Sequence, residues 1–341
     1  MKIEARLWEP LSEDRVQCKL CAHQCIIKPG ARGICQVREN QDGTLYTLVY
    51  ERVIAEHVDP IEKKPLFHVY PGSRAFSIAT PGCNFQCRWC QNADISQLPR
   101  DRNLILGRPV KPRFLVKEAL DSGCRSIAYT YTEPTVFYEL TYDTAVLAHE
   151  AGLLNVYVTN GYMSAAMLEE IHPYLDAANV DLKAFNDKTY RTYTGARLQP
   201  VLDSLKLMKQ LGIWVEVTTL IIAGINDDDA ELRDAARFIV EELGPETPWH
   251  LSRFFPAYKM NHVPPTPEST ITRALEIGRE VGLRYVYAGN SRQNITTTCH
   301  VCGEPLIQRA GYAILSNTVT ATGTCPKCGT PVAGLGMAGG G

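Results

Sequence analysis

Through the middle of the chain, short apolar runs alternate with longer stretches in which apolar residues recur every three or four positions. The runs at 75–80, 126–132, 155–159, 178–182, 214–222, 250–255 and 284–287 predict strands. The stretches at 117–121, 135–150, 165–172, 199–210, 228–242 and 267–281 predict helices between them. A strand buried on both faces needs no polar alternation, whereas a helix packed on one face shows a 3.6-residue period. The run Asn226, Asp227, Asp228, Asp229 supplies an N-terminal signal for the fifth of these helices. Such regular alternation predicts an α/β fold, with seven parallel strands rolled into a partial, TIM-like (β/α) barrel.

Outside the middle that rhythm stops. Residues 1–68 carry turn signals at Pro29-Gly30, Arg32-Gly33 and Asp42-Gly43 and read as a small N-terminal module. Residues 69–290 form the core, and residues 291–341 a C-terminal module whose final glycine-rich run is expected to be loose. At 341 residues, 45% hydrophobic and 21% charged, the chain has ordinary globular composition and can bury a full core. Lys and Arg number 35 against 37 Asp and Glu, so the net charge of −2 gives no support for a nucleic-acid or membrane-surface partner. The longest uncharged stretch, 151–168, contains Asn155, Thr159, Asn160, Gly161 and Ser164 and makes a poor membrane span. The opening MKIEARLWEP lacks the apolar region of a signal peptide, so a cytoplasmic location is expected.

Twelve cysteines change the picture. A reducing compartment disfavours disulfides, so clustered cysteines point to metal or catalysis. Eleven fall into three groups, and only Cys124 stands alone, as a small buried hydrophobe would. The central group, Cys83-x3-Cys87-x2-Cys90, follows the first core strand directly. That places it at the carboxyl edge, where βα folds build their sites. Three thiolates on one loop can hold three corners of an iron–sulfur cube and leave the fourth iron open to a ligand. The rival reading is a three-cysteine zinc site completed by His68 or His250.

The loop, with Trp89 as the aromatic of a C-x3-C-x-aromatic-C pattern, resembles the signature of the radical S-adenosylmethionine (SAM) enzymes. The resemblance runs from about Arg74 to Asn290. A narrower likeness, to the radical SAM component of the AmmeMemoRadiSam system and to pyruvate formate-lyase activating enzymes, rests on several further motifs. These are Cys90-Gln91-Asn92, Tyr131-Thr132-Glu133-Pro134, Thr159-Asn160-Gly161, Asp181-Leu182-Lys183 and the segment from Trp249 to Phe254. The resemblance implies a [4Fe–4S] cluster on Cys83, Cys87 and Cys90 that chelates SAM, and an electron donor such as flavodoxin or ferredoxin. It implies that Glu133 meets the amino group of SAM, although Tyr131-Thr132 stands where the family has two glycines. Thr159 and Asn160 then face the SAM carboxylate or ribose, and Asp181 and Lys183 lie near SAM on one strand face. Ile222 belongs to a segment resembling the apolar wall against adenine, and His250 to a strand within reach of SAM. Each of these also has a plain structural reading as a turn, an ion pair, a buried strand or a satisfied histidine. Val158 stands where activating enzymes carry an acid tied to a monovalent cation, which argues against such a site here.

The flanking groups read as metal sites. Cys299-x2-Cys302 and Cys325-x2-Cys328, each followed by a glycine, look like a zinc ribbon whose four thiolates saturate a structural ion. A rubredoxin-type iron site has similar spacing. The N-terminal quartet Cys18, Cys21, Cys25 and Cys35, with His23 as a substitute ligand, reads as zinc or as an auxiliary iron–sulfur cluster. The leading expectation for function is a radical SAM enzyme that abstracts hydrogen from a substrate, with Memo-like and AMMECR-like proteins as the partners the resemblance suggests. The alternatives are an activase for a glycyl-radical enzyme and a non-catalytic zinc scaffold for protein binding.

Overall fold

The computed structural model describes residues 2–291 and 295–339. Eight strands form the central sheet: β1 (Ala55–Pro60), β2 (Arg74–Ala79), β3 (Ser126–Tyr129), β4 (Leu154–Thr159), β5 (Ala177–Asp181), β6 (Trp214–Ile221), β7 (Trp249–Arg253) and β8 (Val286–Gly289). They lie side by side in chain order; β1 is antiparallel to β2, and every later pair is parallel. Seven parallel strands joined by crossover segments are the expected partial barrel. The strands read as continuous apolar runs because both faces are covered; all four residues of β3 are buried.

Among the described residues, two short helices (Ala93–Ser96 and Leu98–Arg102) follow the cysteine loop, and seven longer ones are carried on the connections: α1 (Pro112–Asp121), α2 (Tyr138–Glu150), α3 (Ala165–Ile171), α4 (Asp187–Thr194), α5 (Gln199–Gln210), α6 (Asp229–Phe238) and α7 (Glu268–Val281). Helix α5 shows how the pattern works, because Val201, Leu202, Leu205 and Met208 share one buried stripe. Each such side chain contributes about 1.5–3 kcal/mol by leaving water. Asp228 caps α6 by accepting from the amides of Ala230 and Glu231, as its position foretells. The α-helical part of the stretch 228–242 is shorter than expected, since it passes at Ile239 into one π-helical turn. Likewise the stretch 135–150 opens as a 3-10 turn, Pro134–Phe137, before α2 begins.

Two elements depart from the sequence reading. Strand β1 lies within the segment 1–68 assigned to the N-terminal module, yet it pairs with β2 along its whole length. The sheet therefore begins before residue 69; an edge strand reading AEHVDP, half of it exposed, carries no apolar run to announce it. Helix α4 was also unmarked, because DKTYRTYT is polar and rich in β-branched residues. It forms because Asn186 caps it and Gly195, at φ 73°, ends it in the left-handed region.

The head folds as two small antiparallel sheets docked on α2 and on the loop after β4. Buried Arg38 ion-pairs with buried Glu139, Arg6 N donates to the same carboxylate at 2.7 Å, and Cys21 bridges to Met163. The C-terminal module is a three-stranded antiparallel sheet (Ile295–Thr298, Pro305–Ala310, Ala313–Asn317) with its own small core around Leu306 and Ile307. It docks beneath the barrel: Arg309 donates to Phe67 O at 2.8 Å, and His68 pairs with Ala333 O at 2.6 Å. The expected loose glycine run lies partly, at residues 340–341, outside the described residues.

Candidate active site

Strand β2 ends at Ala79, and the cysteine loop springs from it at the carboxyl edge of the sheet. Its backbone is tied on both sides. Gln86 N and Arg88 N donate to the last carbonyls of α4, Thr194 O at 2.8 Å and Tyr193 O at 3.0 Å. Asn92 Nδ2 donates to Tyr131 O at 2.8 Å, and Thr132 Oγ1 to Thr80 O at 2.8 Å. The helix that the sequence hid is therefore one wall of the loop.

Cys83, Cys87 and Cys90 open onto one cleft of about 460 Å3 together with Trp89, Glu133, Thr159, Asn160, Asp181 and Lys183. Six of the eight expected SAM-site residues are thus brought to one place with the three thiols. Burial pushes the Cys83 and Cys87 thiols up, Cys87 to about 12, and the Glu133 carboxylate adds to the effect at Cys83. Thiolates at this depth need a bound cation to offset the loss of water. Among the described residues, no fourth thiol and no histidine lines the cleft. The donor set fits a cluster held at three corners, and it leaves the three-cysteine zinc reading without its fourth ligand.

The carboxylate of Glu133 is an organising centre. Oε1 accepts from Thr135 N at 3.1 Å, Thr135 Oγ1 at 2.6 Å and Thr159 Oγ1 at 2.7 Å, and Oε2 accepts from Asn160 N at 2.8 Å. Burial still raises its pKa above the usual carboxylate range, the donors offsetting only part of that cost. Asn160 Nδ2 in turn donates to Asn84 Oδ1 at 2.7 Å, beside Cys83. The turn after β4 is close-packed, since a Cβ on Gly161 would meet Val180 Cγ1 at 2.7 Å. Across the cleft Lys183 Nζ lies 2.8 Å from Asp181 Oδ2. Burial opposes the charge on Lys183, but Asp181 and Cys87 outweigh it and raise its pKa.

His250 and Ile222 are placed elsewhere. His250 is buried and bonds through Nε2 to Glu216 Oε2 at 2.6 Å, in a network that also receives the amides of Phe67 and His68. It is a satisfied interior histidine, because buried Glu216 needs partners more than the cleft needs a ring. Ile222 is fully buried, its amide bonded to Asn226 Oδ1 at 2.7 Å, and it does not reach the cleft surface. Val158 does line the cleft and brings no charge to it.

Among the lining residues that sequence reasoning missed, Lys63, Lys64 and Tyr312 come from outside the parallel strands. Lys63 and Lys64 approach from the turn after β1, each bonded to Asp59, at 2.8 and 2.6 Å, and Lys64 also lies over the Tyr131 ring. Tyr312 reaches the same cleft from the hairpin tip of the C-terminal module. The pair of lysines before Pro65 was the one available signal, and it carries meaning only once β1 is known to sit in the sheet.

In the C-terminal module the four thiols converge: all sulfurs lie within 4.8 Å of one another, with Cys299–Cys328 at 3.5 Å and Cys302–Cys325 at 3.7 Å. Tetrahedral Zn–S bonds of about 2.3 Å put sulfurs about 3.8 Å apart. Gly303 and Gly329, both at φ 73°, make the turns that aim the thiols inward. The four head cysteines line a separate small enclosed cavity. No helix among the described residues is long and apolar enough to cross a membrane.

Over residues 77–239 the chain matches the model of the radical SAM superfamily. It is 46% identical over 332 residues to an uncharacterised protein of Methanocaldococcus jannaschii, a match covering 96% of this chain and 98% of that protein. It is 25% identical over 169 residues to the pyruvate formate-lyase-activating enzyme of Clostridium pasteurianum, covering 50% of this chain and 70% of that enzyme. A radical SAM methyltransferase from Sphaerobacter thermophilus shares the fold, with a TM-score of 0.51 at 18% identity over 66% of this chain and 68% of that one.

Proposed function

We propose, from the match of residues 77–239 to the radical SAM superfamily, that the cleft cleaves SAM reductively on a [4Fe–4S] cluster held by Cys83, Cys87 and Cys90. The observation that carries this reading is the donor set: three buried thiols on one anchored loop, and no fourth ligand in the cleft lining among the described residues. Bound there, the cluster would supply the electron that splits SAM into methionine and a 5′-deoxyadenosyl radical able to abstract hydrogen.

The remaining work falls to the chain itself. Glu133 Oε2 takes one protein donor and has acceptor capacity left for the amino group of SAM. Thr135, Thr159 and the Asn160 amide hold that carboxylate in place, so it needs no reorganisation when the ligand arrives. Lys183, kept charged by Asp181, suits the carboxylate of SAM. Trp89, buried beside Tyr193, covers the loop from water.

The substrate in this reading is a partner protein, of the Memo-like or AMMECR-like kind the motifs suggest, with part of its chain entering past Lys63 and Tyr312. The activase relative favours a second reading, in which the substrate is the glycine of a glycyl-radical enzyme. The C-terminal quartet takes structural zinc, for which the sulfur spacing is the support. A zinc scaffold without catalysis leaves the three cleft thiols and Glu133 unexplained. The deciding experiment is anaerobic incubation with SAM, dithionite and each candidate partner, followed by mass spectrometry of the proteins and of the nucleosides. 5′-Deoxyadenosine whose formation depends on a partner supports the reading, and none from a cluster-loaded chain overturns it.

A further inference from the structure

The head quartet and the C-terminal quartet have the same four thiols but different geometry. In the C-terminal module all four sulfurs lie within 4.8 Å of one another, the spacing that one tetrahedral ion requires. Among the described residues no other cysteine group is so compact, although every head cysteine is described. The catalytic triad Cys83, Cys87 and Cys90 is spread in the same manner, and there the ligands belong on separate irons. His23 is also occupied elsewhere, its Nε2 2.9 Å from Asn84 O.

The cavity that the head cysteines line has a second peculiarity. Arg38 and Asn84 line it too, both about 1% exposed, and each keeps a buried N–H without a partner among the described residues: Arg38 Nε and Asn84 Nδ2. Arg38 Nη1 already reaches Cys18 Sγ at 3.3 Å. Buried orphan donors cost free energy unless something accepts from them. A cube offers such donors its inorganic sulfides as well as its four thiolates, where a zinc site offers the thiolates alone.

We infer that Cys18, Cys21, Cys25 and Cys35 hold a [4Fe–4S] cluster saturated by four thiolates, and that it relays electrons to the catalytic cluster. The relay rests on the wall between the two sites. Asn84 lines the head cavity, and its chain neighbour Cys83 lines the cleft. Adjacent Cα atoms are about 3.8 Å apart. On the outer side, Ile34 lines the same cavity and is 38% exposed, so the cluster sits near solvent where a donor protein can reach it. The step moves one electron and no atoms. A low-potential one-electron carrier protein is oxidised, the head cluster is reduced, and the head cluster is reoxidised as the catalytic cluster is reduced. The relay takes its acceptor from the proposed function; the head cluster itself does not depend on it.

The test starts with the variant Cys83→Ala/Cys87→Ala/Cys90→Ala, which leaves the head intact. After anaerobic reconstitution with iron and sulfide it should retain about four irons and four sulfides per chain. Its reduced form should give a paramagnetic signal that SAM does not alter. A second zinc per chain and no iron would overturn the inference. The wild-type chain separates the two readings: about eight irons with a SAM-responsive signal supports both, whereas about four irons that SAM leaves unmoved keeps the head cluster and sinks the function. For the relay, Cys21→Ala/Cys25→Ala should leave the catalytic cluster reducible by dithionite but no longer by a ferredoxin-class protein; equal reduction by both rejects the relay. Should that variant misfold, rapid freezing of wild-type chain mixed with the reduced carrier gives the same answer. The head signal must appear before the catalytic one, and the reverse order rejects the relay.

Discussion

The C-terminal quartet and the catalytic loop use the same side chain for opposite ends. The quartet gathers four thiols within 4.8 Å on a three-stranded hairpin unit that needs little else. The catalytic loop offers three thiols and depends on its surroundings: α4 beneath it, Tyr131 and Thr132 beside it, Glu133 across from it. A saturated ion is its own scaffold, whereas an open coordination position has to be guarded by a fold. On the proposed assignments, that difference accounts for a first site on a small appendage and a second on the edge of an eight-stranded sheet.

The contrast can be broken at several points. Cys87→Ala should cost the catalytic cluster, about four irons per chain, and bring 5′-deoxyadenosine formation to background, while zinc content stays unchanged. Loss of zinc in the same variant would show that the two sites are not separate. Cys325→Ala should remove the ion from the C-terminal module and with it about 10 kcal/mol of that module's stability. Limited proteolysis should then cut between residues 295 and 339 while the barrel's iron is retained. An uncut module would mean that its apolar core suffices without metal.

A gentler perturbation acts on the joint between module and barrel. His68 is fully buried between Ala333 O and Tyr287 OH, and burial lowers its pKa to about 4, Glu216 offsetting only part of this. Unfolded histidine takes a proton near pH 6.5, so between about 4 and 6.5 the unfolded chain binds more protons. Stability from this group is therefore complete above pH 6.5 and is lost as pH falls toward 4, by up to about 3 kcal/mol. Melting temperature against pH should fall more steeply for the wild type than for His68→Gln; parallel curves would remove His68 from the joint. The smallest effect is expected of Glu133→Gln. Its amide can no longer accept from both Asn160 N and the Thr159 and Thr135 donors, so SAM binding and stability should each weaken by about 1–3 kcal/mol. Calorimetric SAM affinity beside iron content is the measurement, and unchanged affinity with a lowered melting point would make Glu133 purely structural.

The expected site residues that the fold brings to one cleft are those whose spacing is fixed by a local element. Cys83 to Cys90 share one loop, Asp181 and Lys183 one strand end, and Thr159 and Asn160 one turn, so adjacency in the chain became adjacency in space. His250 lies off the cleft lining although its strand passes the site, because its side chain bonds to Glu216, a partner 34 residues away that no local pattern reveals. Lys64 and Tyr312 were invisible for the same reason, since the cleft reaches them only through β1 and the C-terminal hairpin. Helix α4 was missed because its stability comes from a cap and a glycine stop rather than an apolar stripe.

The order of the strands bears on how the chain is made. Each of β2 to β8 lies beside the strand synthesised just before it, so a barrel growing from the ribosome never has to wait for a distant partner. The exception is the clasp at residues 67 and 68, which are translated early yet bond to Arg309 and Ala333, the latter 265 residues downstream. Until that last module arrives, the early turn has no lid on its carbonyls. In the interval between β8 and the final hairpin, the finished barrel therefore still waits for the clasp on that turn.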